Sequence, residues 1–252
     1  MHDLLSESWA GYSYGDWLDH FRENDAHRLE QDFEYEPEPD RKTRKLIFPS
    51  IAAFRKGESS DGVHLALLAE EFGEKHGEPL YPGVMKLFVK EENFHSAYLA
   101  QYMKHHGEPE AKHSGLDRTF RKLRHKGSLF TEIAVLVTAE MIALSYYSAL
   151  GNVADRIGSK ALRRICDQML HDELPHIVFQ SHTLSYFSNS IFTYAFRRSL
   201  MGVTTLAVYA AYGRLLRRGG YGYFRFRREN MGYLRQSVNI VRAKKSARGS
   251  GK

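Results

Sequence analysis

From residue 46 onward the apolar residues recur every three or four positions rather than every second one, the period of a helix that buries one face. The pattern is interrupted at Gly and Pro clusters over 77–82, 107–115, 151–152 and 219–222. The spacing predicts helices over 46–76, 83–106, 128–150, 154–186, 191–217 and 223–241, and therefore an all-α fold. The first and third gaps are short, so helices one and two, and three and four, should form antiparallel hairpins, while the about 20 residues after 106 can cross over. Residues 1–44 read as an extension with one short helix over 16–29. The stretch Glu34, Pro37, Glu38, Pro39 that follows cannot continue that helix. The expected organisation is an N-terminal acidic extension (1–44), a four-helix bundle (45–186), a C-terminal helical hairpin packed on it (187–241) and a basic tail (242–252).

Composition narrows this picture. With 252 residues, 42% hydrophobic and 26% charged, the chain can bury a sizeable core, which excludes wholesale disorder, collagen and a coiled-coil rod. No run reaches about 18 uninterrupted apolar residues, and the start lacks the basic and apolar regions of a signal peptide, so a cytoplasmic protein is expected. The single cysteine, Cys166, excludes an internal disulfide and a multi-thiolate zinc site, and is read as core filling. Redox or metal chemistry would have to run through the 13 histidines and the acids. Charge is polarised: residues 1–40 hold 12 acids against Arg22 and Arg28, and residues 214–252 hold 12 bases against Glu229 alone. The two ends could attract one another within a chain or between two subunits. The basic end also raises encounter with any polyanion.

Two segments carry the candidate chemistry. Helix two contains Glu91, Glu92 and His95, and helix four contains Asp172, Glu173 and His176, each an acid followed by Glu-x-x-His. Residues three apart share a helix face, so each pair points a carboxylate and an imidazole at one spot, as a metal ion requires. The further match Glu110-x-x-His113, in a Gly- and Pro-containing connection, is read as accidental, since this composition supplies about one by chance. Helix three adds Glu140, the only charged residue from Ile133 to Ala154 in a largely apolar run; a carboxylate there must be neutralised, paired or metal-bound. A two-metal carboxylate site in a helix bundle draws a Glu from each of two helices and a Glu-x-x-His from each of the other two. Glu58 is the choice on helix one, because it precedes Glu92 by 34 residues as Glu140 precedes Glu173 by 33, with Glu70 as the fallback. The competing reading makes Ser59, Ser60, Asp61 and Gly62 a helix break and Glu58 a solvated end residue. His64, His171 and His182 are read as surface or supporting residues, and Pro175 as a kink or break inside the helix-four motif.

Glu91, Glu92, Asn93, Phe94 and His95, followed by Leu99 and Tyr102, resemble the helix-two signature of the acyl-carrier-protein desaturases. The whole ligand set over 46–186 resembles the ferritin-like di-iron carboxylate superfamily, and the phrases Lys56–Gly57–Glu58–Ser59–Ser60 and 214–220 resemble bacterial ferritin-like domain proteins. The resemblance implies a ferritin-like four-helix bundle with two additional C-terminal helices. It also implies Glu92 and Glu173 as metal bridges, Glu58 and Glu140 as terminal ligands, and His95 and His176 as one nitrogen ligand each. Asp172 would orient His95, and Glu91 would orient His176.

Mixed carboxylate and imidazole ligands favour two iron ions, with manganese or a mixed Fe/Mn pair as alternatives. Phe88, Leu99, Leu136, Val137, Leu144 and Tyr147 flank these ligands and give an apolar lining for a substrate. The expectation is a di-iron O2-dependent oxidoreductase that hydroxylates or desaturates a small apolar substrate with electrons from a donor. The alternatives are a ferritin-like metal-binding protein or ferroxidase, and a metal-free helical interaction scaffold. Residues 199–213 form an uncharged run between Arg197, Arg198 and Arg214, Arg217, Arg218, suited to covering the bundle or to lying in a membrane interface. The expected partners of the basic C-terminus are an acidic carrier protein or a membrane surface, placing the protein at the membrane periphery; a homodimer is the other arrangement the charged ends allow.

Overall fold

The computed structural model describes residues 1–4, 8–59, 62–109 and 128–250. Among the described residues every regular element is helical, so the chain is all-α. After a 3₁₀ turn (Ser8–Gly11) come α1 (Tyr14–Ala26), α2 (Arg41–Glu58), α3 (Val63–His76), α4 (Tyr81–His105), α5 (Leu129–Ile157), α6 (Lys160–Leu184), α7 (Ile191–Arg218) and α8 (Tyr223–Ser250). Local chemistry sets many of the ends. Ser13, Asp40, Ser159 and Ser190 each accept a hydrogen bond from the backbone N–H three residues on, a donor the first turn leaves open. Gly77 and Gly158 close α3 and α5 with φ of 69° and 72°, a backbone that favours a residue without Cβ.

Several expected boundaries move. The helix predicted over 46–76 is two helices: α2 stops at Glu58, and α3 starts after Gly62, whose φ is 70°. The break predicted at 151–152 does not occur, and α5 continues to Ile157. Gly151 serves packing instead, since a Cβ there would press on Arg163 and Cys166 of α6. Pro175 does not break α6, which runs from Lys160 to Leu184 across it; only the bond to the His171 carbonyl is lost. The basic tail from 242 continues α8 as far as Ser250.

The core lies where α3, α4, α6 and α5 pack in a ring, each against the next, with α2 also along α4. The α5–α6 hairpin is the most extensive of these contacts. Tyr146 Oη of α5 donates to Ser50 Oγ of α2 at 2.9 Å, and its ring stacks on Phe54 at 3.6 Å. α7 covers α5 and reaches α2, and α8 packs across α7, α6 and α5. Polar pairs, the first fully and the second partly buried, fix the register of this outer layer: Ser145 Oγ to Asn230 Oδ1 at 2.8 Å, and Asn152 Nδ2 to the Gly219 carbonyl at 2.8 Å.

The acidic extension is not a free arm. Its α1 packs on α4, burying Tyr14, Trp17 and Phe21 in the common core. The chain start is tied to α8, with the Leu4 N–H donating to Gln236 Oε1 at 2.7 Å. Several of its acids pair near at hand: Asp25 with Arg28 at 2.9 Å and with Lys90 at 2.7 Å, and Glu38 with His106 at 3.1 Å.

Among the described residues one helix, α5, is long and apolar enough to cross a membrane by length and composition, although Glu140 interrupts its apolar run. Of its apolar window, 89% is buried inside the fold.

Candidate metal centre

The spacing of three places Glu92 and His95 on one face of α4, and Glu173 and His176 on one face of α6. The contact of these two helices turns the faces toward each other. One ligand atom from each of the four residues lies within 4.8 Å of all the others. His176 Nδ1 stands 3.0 Å from Glu92 Oε1 and 3.4 Å from Glu173 Oε2; His95 Nδ1 stands 3.7 Å from Glu92 Oε1 and 3.5 Å from Glu173 Oε1. Two ligands on opposite sides of one transition ion stand about 4.2 Å apart, so the spread suits metal coordination.

The outer nitrogens are engaged. His95 Nε2 is 3.0 Å from Asp172 Oδ2, and His176 Nε2 is 3.0 Å from Glu91 Oε2. These carboxylates are themselves anchored. Arg28, just beyond the end of α1, donates to Glu91 at 3.1 Å, while Gln168 and His171 reach Asp172 at 2.9 Å. A carboxylate on Nε2 favours the proton there, which leaves the Nδ1 lone pair facing inward. The inner atoms lack partners: Glu92 Oε1, His95 Nδ1, both Glu173 oxygens and His176 Nδ1 are buried and make no hydrogen bond. Orphaned buried acceptors around one point are what a cation would satisfy. The group Glu92, His95, Glu173 and His176 could hold a metal ion.

Glu58 and Glu140 flank this group. The helix break after Glu58 is present, yet Glu58 is only 7% exposed and accepts a hydrogen bond from Tyr147 Oη at 2.8 Å. It is therefore the end of a helix without being solvated. The fallback, Glu70, is exposed and lines a surface groove between α3 and α4. Glu140 is 2% exposed and accepts from Gln180 Nε2 at 2.9 Å.

Electrostatics follow from burying this many acids together. Burial, then Glu92 and Glu140, pushes the Glu58 carboxyl well up; burial and Glu92 raise Glu140; burial and Glu140 raise Glu173. Burial also pushes Glu92 upward, but the His176 and His95 imidazoles outweigh it and hold it below the usual range. Burial pulls both imidazoles down, but Asp172 and Glu92 raise His95, and Glu173, Glu91 and Glu92 raise His176. Without a cation the cluster neutralises itself with protons, and a bound cation would displace them.

The six residues expected to line a substrate space, Phe88, Leu99, Leu136, Val137, Leu144 and Tyr147, are all buried. Phe88 lies edge-on to His176 at 4.8 Å, and Tyr147 is a hydrogen-bond donor to Glu58 rather than plain lining. None of the six lines the α3–α4 groove. His171 touches Asp172, whereas His64 pairs with Glu132 at 2.8 Å and His182 stacks on Tyr14 at 4.6 Å. Glu110 and His113 lie outside the described residues. The sequence reading missed Gln180, Gln168 and Arg28. Gln180 follows Glu173 by seven residues and Gln168 precedes Asp172 by four, so helical spacing could have found both. Arg28 reaches Glu91 only because α1 folds onto α4, which no local pattern announces. Cys166 is buried, and burial pushes its thiol up, as suits core filling.

Searches against protein-family models, curated proteins and solved structures found no match to this chain.

Proposed function

We propose that the chain is a ferritin-like, non-haem di-iron carboxylate oxidoreductase that uses O2 to oxidise an apolar organic substrate. The observation that carries this reading is the convergence of Glu92, His95, Glu173 and His176, with unsatisfied inner atoms and outer nitrogens held by Asp172 and Glu91. The packing of α3, α4, α6 and α5 around that point supports the bundle assignment.

Charge supports two ions rather than one. Glu91 is offset by Arg28 and Asp172 by His171, with Gln168 adding a neutral hydrogen bond, which leaves Glu58, Glu92, Glu140 and Glu173 as four carboxylates for two divalent cations to balance. In this reading Glu92, Glu173, His95 and His176 would hold the pair, with Glu58 and Glu140 as the further carboxylates that would complete its ligand set. Iron fits the mixed donor set, with manganese or a mixed pair as alternatives. When bound, such a pair supplies a place where O2 is reduced with electrons from an external donor and a C–H bond is oxidised.

The chain's own residues do the rest. Asp172 and Glu91 hold the imidazole tautomers, Tyr147 and Gln180 fix the rotamers of Glu58 and Glu140, and Phe21 and Phe88 against His176 keep water from that side. A ferroxidase is the second reading. The close burial of all six lining residues favours it, because iron and O2 need far less room than an organic substrate.

The test is metal analysis of anaerobically purified protein beside Glu140→Ala. About two irons per chain, lost in the variant, is the expected result. Metal contents equal to a protein blank after anaerobic Fe(II) addition would overturn the reading. Fe(II) turnover without any organic compound would assign the site to the ferroxidase.

A further inference from the structure

Among the described residues the outer face of α7 is apolar and largely uncovered, its one ring contact to another element being Phe196 with Phe130 of α5 at 6.2 Å. Phe192, Phe196, Ser199, Val203, Leu206 and Ala210 follow one another at spacings of four and three, so they form a single stripe, and all are exposed. Phe192 is 81% exposed, Val203 68% and Leu206 57%, large values for apolar side chains arranged in a row. Across the turn Phe224 is also exposed, and it touches Tyr223, which packs on Tyr209 of α7. The opposite face of α7 holds Met201, Thr204, Thr205 and Val208, buried against the rest of the chain.

The charged residues of α7 itself all carry one sign. Arg198 lies near one end, and Arg214, Arg217 and Arg218 lie at the other, all exposed. α7 contains no acid, and the only acid of α8, Glu229, is buried and bonded to Arg225 at 2.9 Å. A second copy docked through this face would set Arg198 and Arg214 against its own arginines, in either direction, and neither α7 nor α8 offers an uncommitted acid to relieve them. An anionic surface supplies the missing charge, and its acyl boundary accepts the phenylalanines, valine and leucine.

We propose that the α7–α8 hairpin docks the protein on anionic lipid bilayers, with α7 lying in the interface plane, Phe192 to Ala210 inserted and the flanking arginines on the headgroups. The helix does not span, because its other face is committed to the core. The inference stands independently of the metal-centre reading.

Vesicle co-sedimentation of the full chain tests it, using phosphatidylcholine alone and phosphatidylcholine mixed with phosphatidylglycerol. Wild type should sediment with the mixed vesicles at least about tenfold better than with the neutral ones, and less as salt rises. The double variant Val203→Glu, Leu206→Glu should lose this binding while keeping its helical circular dichroism and melting temperature, since both side chains are exposed. Arg198→Gln with Arg214→Gln should weaken it. Failure of wild type to sediment, or undiminished sedimentation of the Val203→Glu, Leu206→Glu protein, overturns the proposal. So does a dimer mass by light scattering that the same variant returns to a monomer, which would assign the face to a second copy.

Discussion

Replacing Glu140 by Gln keeps the volume of the side chain and its oxygen acceptor for Gln180, and removes only the acid. Its effect should change sign with metal. In the metal-free chain Glu140 is a buried acid whose ionisation is opposed first by burial and then by Glu92. Leaving such a group uncompensated costs about 1–3 kcal/mol, so the variant should be more stable than wild type by that amount. For a chain of this length about 1 kcal/mol moves the melting temperature by about 2–4 °C, which predicts a rise of a few degrees in chelator. With Fe(II) under nitrogen the order should reverse. A ligand at about a hundred times its dissociation constant stabilises the native state by about 2.7 kcal/mol, and the variant forfeits much of this. Calorimetry in chelator and in excess Fe(II) measures both arms. A variant that is destabilised equally in both would mean that Glu140 holds the fold through a polar contact and has no part in binding metal, and the charge argument for the centre would fail.

Asp172→Asn and Glu91→Gln should each lower metal affinity by about 10–100-fold with little effect on the fold, read by competition against a chromogenic chelator. His182 is buried, and burial, then Lys244 and Arg248, takes its imidazole down to about 3, so the native ring is neutral and unfolding takes up a proton. Stability from this residue is complete above about pH 6.5 and is lost as pH falls from there toward the folded value, by about 2 kcal/mol at pH 5. His182→Phe should shrink the gap between urea midpoints at pH 7 and pH 5, and an unchanged gap would count against this assignment. Gly219→Ala should cost about 1–3 kcal/mol in denaturant unfolding, because its Cβ would collide with the backbone of Ala149 where the turn after α7 meets α5.

Helical period was legible throughout, because burial of one face repeats every turn whatever the partner. The two Glu-x-x-His pairs were legible for the same reason: a spacing of three is a local property of a helix. Glu140 stood out because nothing around it in the chain could neutralise a charge. Gly151 was misread, since a glycine that ends a helix and one that admits a neighbouring helix look alike until Arg163 and Cys166 are seen against it. Glu58 shows the same division. The helix predicted over 46–76 ran through it, and the competing reading of a break before Gly62 is the one the helix end matches, but Tyr147 and the α3–α4–α6–α5 packing, far along the chain, decide that this end is buried.

The sequence by itself determined the all-helical class and which side chains of α4 and α6 share a face, because both follow from the geometry of a single helix. Only the tertiary structure decided that these faces meet, that Arg28 on the acidic N-terminal segment reaches Glu91, and that the apolar stripe of α7 is left outside. Each depends on which helices pack together, and that is fixed by the sum of many contacts rather than by any one segment.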